Sequence, residues 1–339
     1  MRRLSFCVSF IILCFIGSIN SNTIYLHYFG YSDAEIFNLQ GSWNRDGAGL
    51  STWKLREYLK QRGYRLTTFR SVQDIGSDAV YVVFFNVACS ESFIKQVYQK
   101  VGIHKMAAFL WEPPVKSNYL NYSMPIHRYF SKIFTWDQDL IDGKKYLQCY
   151  YPQPTLEIGH NILPFHEKKL CVLIARNQQL SHPKELCSER LSILKFFANK
   201  AHEFDLYGKG WSRALSTYRG AIGSKIELLK RYKFCIAYEN TKDVFGYVTE
   251  KIFDCFVAGC VPIYYGASDI ERYVPKTCFI DRRDFASNQV LYDYMKNMDE
   301  VTYSAYQESI RDYLASEQAH CFSIDFFITT FVQGLGLKG

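Results

Sequence analysis

No Walker loop, no glycine-rich dinucleotide fingerprint and no G-x-S-x-G elbow occur in the 339 residues. Their absence removes P-loop nucleotidases, dinucleotide oxidoreductases and α/β serine hydrolases from the motif-based readings. The 11 cysteines never fall at C-x-x-C spacing and do not cluster with the 8 scattered histidines, so no pattern marks a zinc site and no disulfide can be assigned. Arginine-rich arms and nucleic-acid-binding motifs are missing too. The net charge of +7 is spread along the chain instead. That balance favours small anionic partners such as a nucleotide diphosphate, or a negatively charged membrane surface. Internal repeats and low-complexity tracts are absent.

What is present is the composition of a soluble globular protein, 48% hydrophobic and 22% charged, with an aromatic share raised to 17% by 26 Tyr and 26 Phe. Aromatic faces suit sugar rings as well as cores. The length allows two α/β domains or one large one. Residues 1–21 follow the plan of a secretory signal, with Arg2 and Arg3, an apolar run from Leu4 to Ile16, then small and polar residues. The run is shorter than the ~20 residues that span a bilayer. A cleaved signal and an uncleaved signal-anchor both fit, with membrane association through residues 4–19. The expected location is the secretory pathway or a cell-envelope membrane (Golgi in a eukaryote), the alternative being a cytoplasmic membrane-associated enzyme. Asn121-Tyr122-Ser123 is a glycosylation sequon.

Strand and helix patterns alternate along the chain. Thr23–His27, Ala79–Phe85, Met106–Trp111 and Lys132–Trp136 read as strands, with helices at Leu50–Arg62 and Glu91–Lys100. The stretch from Tyr150 to Glu167 holds three of the nine prolines and no helical period, which marks it as a linker. A second array follows: a strand at Lys169–Ala175, a helix at Cys187–Lys200, a strand at Phe204–Tyr207, and helical patterns from Asn288 to the end. The expected domains are 22–155 and 156–339, the second ending in a helical tail.

The most informative segment runs from Tyr232 to Gly266, YKFCIAYENTKDVFGYVTEKIFDCFVAGCVPIYYG. It predicts a buried strand at Phe234–Tyr238, a polar loop, a helix over about Thr249–Ala258 stopped by Gly259, and a second strand at Val261–Tyr265. That is a βαβ unit, whose ligands sit at the carboxyl ends of the strands. Lys251 falls in the first helical turn, where it opposes the dipole by about 0.3–1 kcal/mol. A bound anion resolves the conflict, because N–H groups, dipole and ammonium then act together. Glu239 and Asn240 end the preceding strand and face the same place.

With its continuation Tyr273–Phe285, this run resembles the donor-binding signature of the α-1,3/1,4-fucosyltransferases, glycosyltransferase family ten. The close similarity covers Lys225 to Phe285, with weaker similarity back to about Phe109. The resemblance implies two Rossmann-like α/β domains facing a cleft, the GT-B architecture. It implies inverting transfer of L-fucose from GDP-fucose to a glycan hydroxyl, α-1,3 to a GlcNAc-type sugar. No cofactor is required, a divalent cation being at most stimulatory, and no nucleic acid is involved.

Glu112, at the end of the strand in Phe109-Leu110-Trp111-Glu112-Pro113-Pro114, matches the family's proposed general base. A carboxylate there can take the proton of the attacking hydroxyl. For the diphosphate the resemblance points to Lys251 and to an arginine before the Y-K-F strand, with Arg213 nearest and Arg219 competing. A guanidinium grips two phosphate oxygens at once, which a lysine cannot. Tyr247 and Glu250 match positions that contact nucleotide and ribose, while Glu239 and Asn240 shape the loop and the fucose site. Asp137-Gln138-Asp139 has D-x-D form but reads as a helix N-cap, and no metal ligand is assigned. A different nucleotide-sugar donor, or an inactive glycan- or nucleotide-binding homologue, are the other readings.

Overall fold

The computed structural model describes residues 22–116 and 119–338. The leader 1–21, and the membrane expectation built on it, lie outside them; no described helix is long and apolar enough to cross a membrane.

The first sheet contains β1 (Asn22–His27), β2 (Tyr64–Thr68), β3 (Ala79–Phe85), β4 (Met106–Leu110), β5 (Lys132–Thr135) and β6 (Tyr146–Gln148), in the order β2-β1-β3-β4-β5-β6. All its pairings are parallel. Alternation along the strands feeds two cores. Ile24, Leu26, Val83 and Phe85 face the helix Leu50–Gln61 through Leu55 and Leu59. On the opposite face Tyr25, Val82 and Phe84 meet Ile94 and Val97 of the helix Glu91–Val101. Burying each large apolar side chain contributes about 1.5–3 kcal/mol, so two-sided coverage is what makes these strands read as continuous apolar runs.

The second sheet contains β7 (Lys169–Ile174), β8 (Phe204–Tyr207), β9 (Tyr232–Tyr238), β10 (Val261–Tyr265) and β11 (Ile280–Asp281), in the order β11-β10-β9-β7-β8. It too is wholly parallel. Both sheets therefore reverse their strand order once, between β1 and β3 and between β7 and β9. In open α/β sheets ligands bind outside the strand ends at that switch point. The α/β reading with two Rossmann-like domains facing a cleft, the GT-B architecture, is the observed one.

Three local features depart from expectation. β2 and β6 were not foreseen, being short edge strands with partly exposed side chains. Trp111 and Trp136 lie just past their strands. The tail does not stay with the second domain: in the helix Ile324–Gly334, Phe327, Ile328 and Phe331 enter the first core beside Phe109 and Phe134. The Phe109 ring stacks on Phe134 at 4.1 Å and on Phe331 at 5.7 Å. The helix is apolar on the face that the first sheet leaves uncovered, and that exposed surface decides its place.

Side-chain polar bridges cross between the domains beside the cleft. Asp46 accepts from the Ser224 hydroxyl and, at 2.9 Å, from the Lys225 N–H. The Lys116 ammonium donates to Gln178 Oε1 at 2.9 Å.

Candidate active site

The helix Glu250–Val257 begins where Thr249 caps it, the threonine side chain accepting from the Lys251 N–H. Ile252, Phe253, Cys255, Phe256 and Val257 are buried, which fixes its orientation. Gly259 ends it at φ 61°, where a Cβ would meet Ile162 at 2.6 Å. With the helix so fixed, Lys251 comes under the end of β9. Its ammonium lies 2.9 Å from Glu239 Oε2 and 3.0 Å from the Thr249 hydroxyl. Glu239 is fully buried and takes two further bonds from Thr249, N–H and hydroxyl, both at 2.9 Å. Burial drives the Glu239 carboxyl up, and the Lys251 ammonium offsets only part of that rise. In turn burial disfavours the ammonium, and Glu239 and Glu250 more than compensate, raising it. The lysine that opposes its own helix dipole is thus held by a buried carboxylate.

A cavity of about 400 Å³ opens over this point, at the switch between β7 and β9. Its basic lining is Arg45, Arg176, Arg190, Lys209, Lys225 and Lys251. Gly208 forms part of the wall at φ 129°, where a Cβ would strike the Ala175 carbonyl at 1.9 Å, so the ends of β7 and β8 close up only with glycine there. Arg190 is buried and donates to the carbonyls of Tyr238 and Glu239 at 2.6 and 2.7 Å. Glu250, at the mouth with 45% of its side chain exposed, is favoured as the neutral acid by burial, but Lys251 and Lys225 outweigh this and hold it at about 2. Burial pushes Asp254 up to about 6 despite the Lys225 ammonium beside it. A volume and lining of this kind suit a nucleotide diphosphate.

A second cavity, about 330 Å³, lies across the cleft at the ends of β1, β3 and β4. Tyr28, Trp43, Trp111 and Tyr151 give it aromatic walls, and Glu112 is among its carboxylates, with Asp46, Glu250 and Asp254. Arg45, Lys225, Glu250 and Asp254 line both cavities, so the two meet. One Glu112 oxygen, Oε2, is buried with no hydrogen-bond partner. Burial raises the Glu112 carboxyl above the ordinary carboxylate range, while Lys116 and Lys251 pull it down and Glu250 and Glu239 push it up. A half-buried carboxylate with one oxygen lacking a hydrogen-bond partner, facing a cavity lined by Arg45 and Lys225, is equipped to accept a proton.

The remaining expected residues are placed as follows. Asn240 lines the first cavity and donates to the Tyr247 hydroxyl at 3.4 Å. Tyr247 is buried and lines neither cavity; its ring packs on Trp136 of the first domain at 4.7 Å. Arg213 is exposed and lines neither cavity. Arg219 is paired with the buried Asp205 at 2.6 Å and bonds the Ser216 carbonyl. The guanidinium beside Lys251 is Arg190, overlooked in the sequence although its signal was there. Cys187, Arg190, Leu194 and Phe197 recur at helical spacing on the buried face of Cys187–Phe197.

Asp137 accepts from the Asp139 N–H at 3.1 Å in a turn, not a helix N-terminus. Among the described residues no His, Cys, Asp and Glu group is arranged to hold a metal ion. Asn121 is 1% exposed and fully engaged by its neighbours, so the folded chain offers no acceptor at the sequon.

Comparison with known proteins matches residues 165–325 to the model of the glycosyltransferase family 10 (fucosyltransferase) C-terminal domain. An α-(1,4)-fucosyltransferase of Arabidopsis thaliana is 46% identical over 80 residues, 23% of this chain and 20% of that protein. The α-(1,3)-fucosyltransferase FucT of Helicobacter pylori is 36% identical over 75 residues, 22% of this chain and 16% of the relative. These alignments thus span a fifth or less of the relatives' own length.

The fold match is wider. The crystal structure of an α1,3-fucosyltransferase superposes on 94% of this chain and 90% of its own, with a TM-score of 0.56 at 15% identity. A complex of an α1,3-fucosyltransferase with GDP-fucose gives 0.51 at 16% identity, covering 94% and 90%. The T4 phage BGT complex with UDP and Mn2+ gives 0.54 at 12% identity, covering 93% and 100%. Lys251 and most of the lining of the first cavity lie within the matched segment, and residues 165–325 thus resemble the C-terminal domain of glycosyltransferase family 10, the fucosyltransferase family.

Proposed function

We propose that this chain is an inverting fucosyltransferase that moves L-fucose from GDP-fucose to a hydroxyl of a glycan acceptor, α-1,3 on a GlcNAc-type sugar. The observation that carries the reading is the meeting of the two cavities, with the unpartnered Glu112 oxygen on one side and Lys251 on the other. In a single displacement Glu112 takes the acceptor O–H proton as the oxygen bonds to the anomeric carbon. The bond from that carbon to the β-phosphate oxygen breaks, and its electron pair leaves with GDP. Lys251 and Arg190 are the cations in place to receive that charge, at Glu239 and the end of β9. The diphosphate goes from two negative charges in the donor to three on the leaving GDP, and the fixed cations lining the cavity can meet them, so the proposed reaction needs no divalent ion. Glu250, ionised and acceptor-rich, is assigned to the ribose hydroxyls. The N-terminal pattern supports delivery to the secretory pathway or a cell-envelope membrane, checked by sequencing the N-terminus of the mature protein.

The likeness to a UDP-dependent glucosyltransferase fold keeps one second reading open, GT-B transfer from another nucleotide sugar. Calorimetric titration with GDP, GDP-fucose, UDP and UDP-glucose in chelator separates the two. Saturable guanine-nucleotide binding that is lost in Lys251→Ala is the expected result. Binding of uridine nucleotides alone would overturn the fucosyl assignment.

A further inference from the structure

The proposed base has no hydrogen bond at one carboxylate oxygen, so something other than that side chain's own bonds must hold it in line. The main chain carries the answer. Asn86 follows β3 with φ 58°, the left-handed region that few residues other than glycine and asparagine enter without cost. It is 3% exposed, and its side-chain oxygen accepts from three donors: the Trp111 N–H at 2.9 Å, the Glu112 N–H at 2.8 Å and Asn121 Nδ2 at 2.8 Å. Asn121 Nδ2 also donates to the Glu112 carbonyl at 3.0 Å, and its oxygen accepts from the Val87 N–H at 2.7 Å. The Asn121 carbonyl is met in turn by His127 Nε2 at 2.7 Å. Both polar ends of the Glu112 main chain are therefore taken by two buried asparagines from separate segments. They replace the ladder partners the residue lost when Pro113 and Pro114 ended β4.

We infer that Asn86 and Asn121 are positioning residues that clamp the Glu112 backbone and so aim its carboxylate across the cleft before any acceptor binds. The inference rests on the reading of Glu112 as base. Backbone strain at an active site has a use when it fixes a reacting group, and left-handed Asn86 directs one carbonyl oxygen at three donors. A misplacement of about 1 Å in a reacting group can cost 10²-fold in rate. The donor site lies on the other domain and owes nothing to this clamp.

The test uses the full chain and four variants. Asn86→Gly keeps the left-handed backbone and removes the acceptor. Asn86→Asp keeps an acceptor for all three donors but adds a charge beside Glu112. Asn121→Asp replaces the donating amide, and Glu112→Gln is the reference. Expected are a kcat lowered about 10–10²-fold in Asn86→Gly and Asn121→Asp, with GDP affinity by calorimetry within twofold of wild type. Asn86→Asp is expected to recover turnover with its acid limb moved to higher pH, because a second carboxylate joins Glu239 and Glu250 against the cations Lys116 and Lys251 around Glu112. Turnover within threefold of wild type in Asn86→Gly, beside an inactive Glu112→Gln, would overturn the clamp alone. So would an equal loss of kcat and GDP binding, or no recovery in Asn86→Asp. Retained turnover in Glu112→Gln would remove the base assignment and the clamp with it.

Discussion

The two walls of the cleft are built by opposite means. On the donor side, charge is dense and paired: Lys251 with buried Glu239, Lys225 with Asp254, and Arg190 against two strand-end carbonyls. On the acceptor side aromatic surface dominates and one carboxylate stands with an oxygen unsatisfied. An anion of fixed shape can be met by preorganised cations, each neutralised until the ligand arrives. A sugar hydroxyl needs stacking surface and one group that wants a proton. Under the proposed function, binding strength is invested in the donor wall and reactivity in the other.

Breaking the acceptor wall has the largest expected consequence. Glu112→Gln should lower kcat about 10²–10⁴-fold while GDP affinity holds, measured by fucosyl transfer and calorimetry. In wild type the rate should fall as pH drops through a Glu112 value above the usual carboxylate range, since burial raises it and the base must be ionised. An acid limb at or below the ordinary value of about 4.3 would count against that group.

The donor wall breaks next. Lys251→Met removes the ammonium from Glu239, and GDP affinity should drop about 10–10²-fold, the worth of one charge-assisted bond. Stability should fall as well, because Glu239 is left buried with only Thr249 to satisfy it. Thermal unfolding without ligand reads that second effect separately.

A pair of arginines sharpens the contrast between local sequence and actual placement. Arg190→Met should weaken GDP by roughly tenfold, and Arg213→Met by less than twofold, since only the former lines the cavity. Equal losses would mean that the loop of Arg213 reaches the donor in solution.

The smallest effect concerns Asp254. Burial places its folded pKa at about 6, above the ~3.9 of an unfolded chain, so the native state binds the extra proton between those values. Its contribution to stability should therefore decline as pH rises from about 4 to about 6 and stay level above. The pH slope of unfolding free energy should flatten in Asp254→Asn over that window only.

The contrast also explains what could be read from the sequence. The donor unit is contiguous: β9, the helix Glu250–Val257 and β10 follow one another, so one period change and one lysine in the wrong half of a helix disclosed it. Glu112 was visible because prolines follow it. The asparagines that hold it were not, since Asn86 and Asn121 meet Glu112 only when segments 26 and 9 positions away fold together. Arg190 was legible by its helical phase and was passed over for residues nearer the Y-K-F strand. The helical tail was foreseen, but which domain it covers depended on the uncovered face of a sheet laid down some 200 positions earlier, and no local pattern carries that.

That tail has a consequence for how the protein is made. Domains generally fold as units, the N-terminal one first during synthesis. Here the first domain cannot close over Phe109 and Phe134 until Phe327 and Phe331, which follow the whole second sheet in the chain, have been released. The nascent chain must carry an open apolar face through the whole synthesis of its second half. Completion of the first core therefore waits on the second domain, and the helix Ile324–Gly334 is its closing bolt.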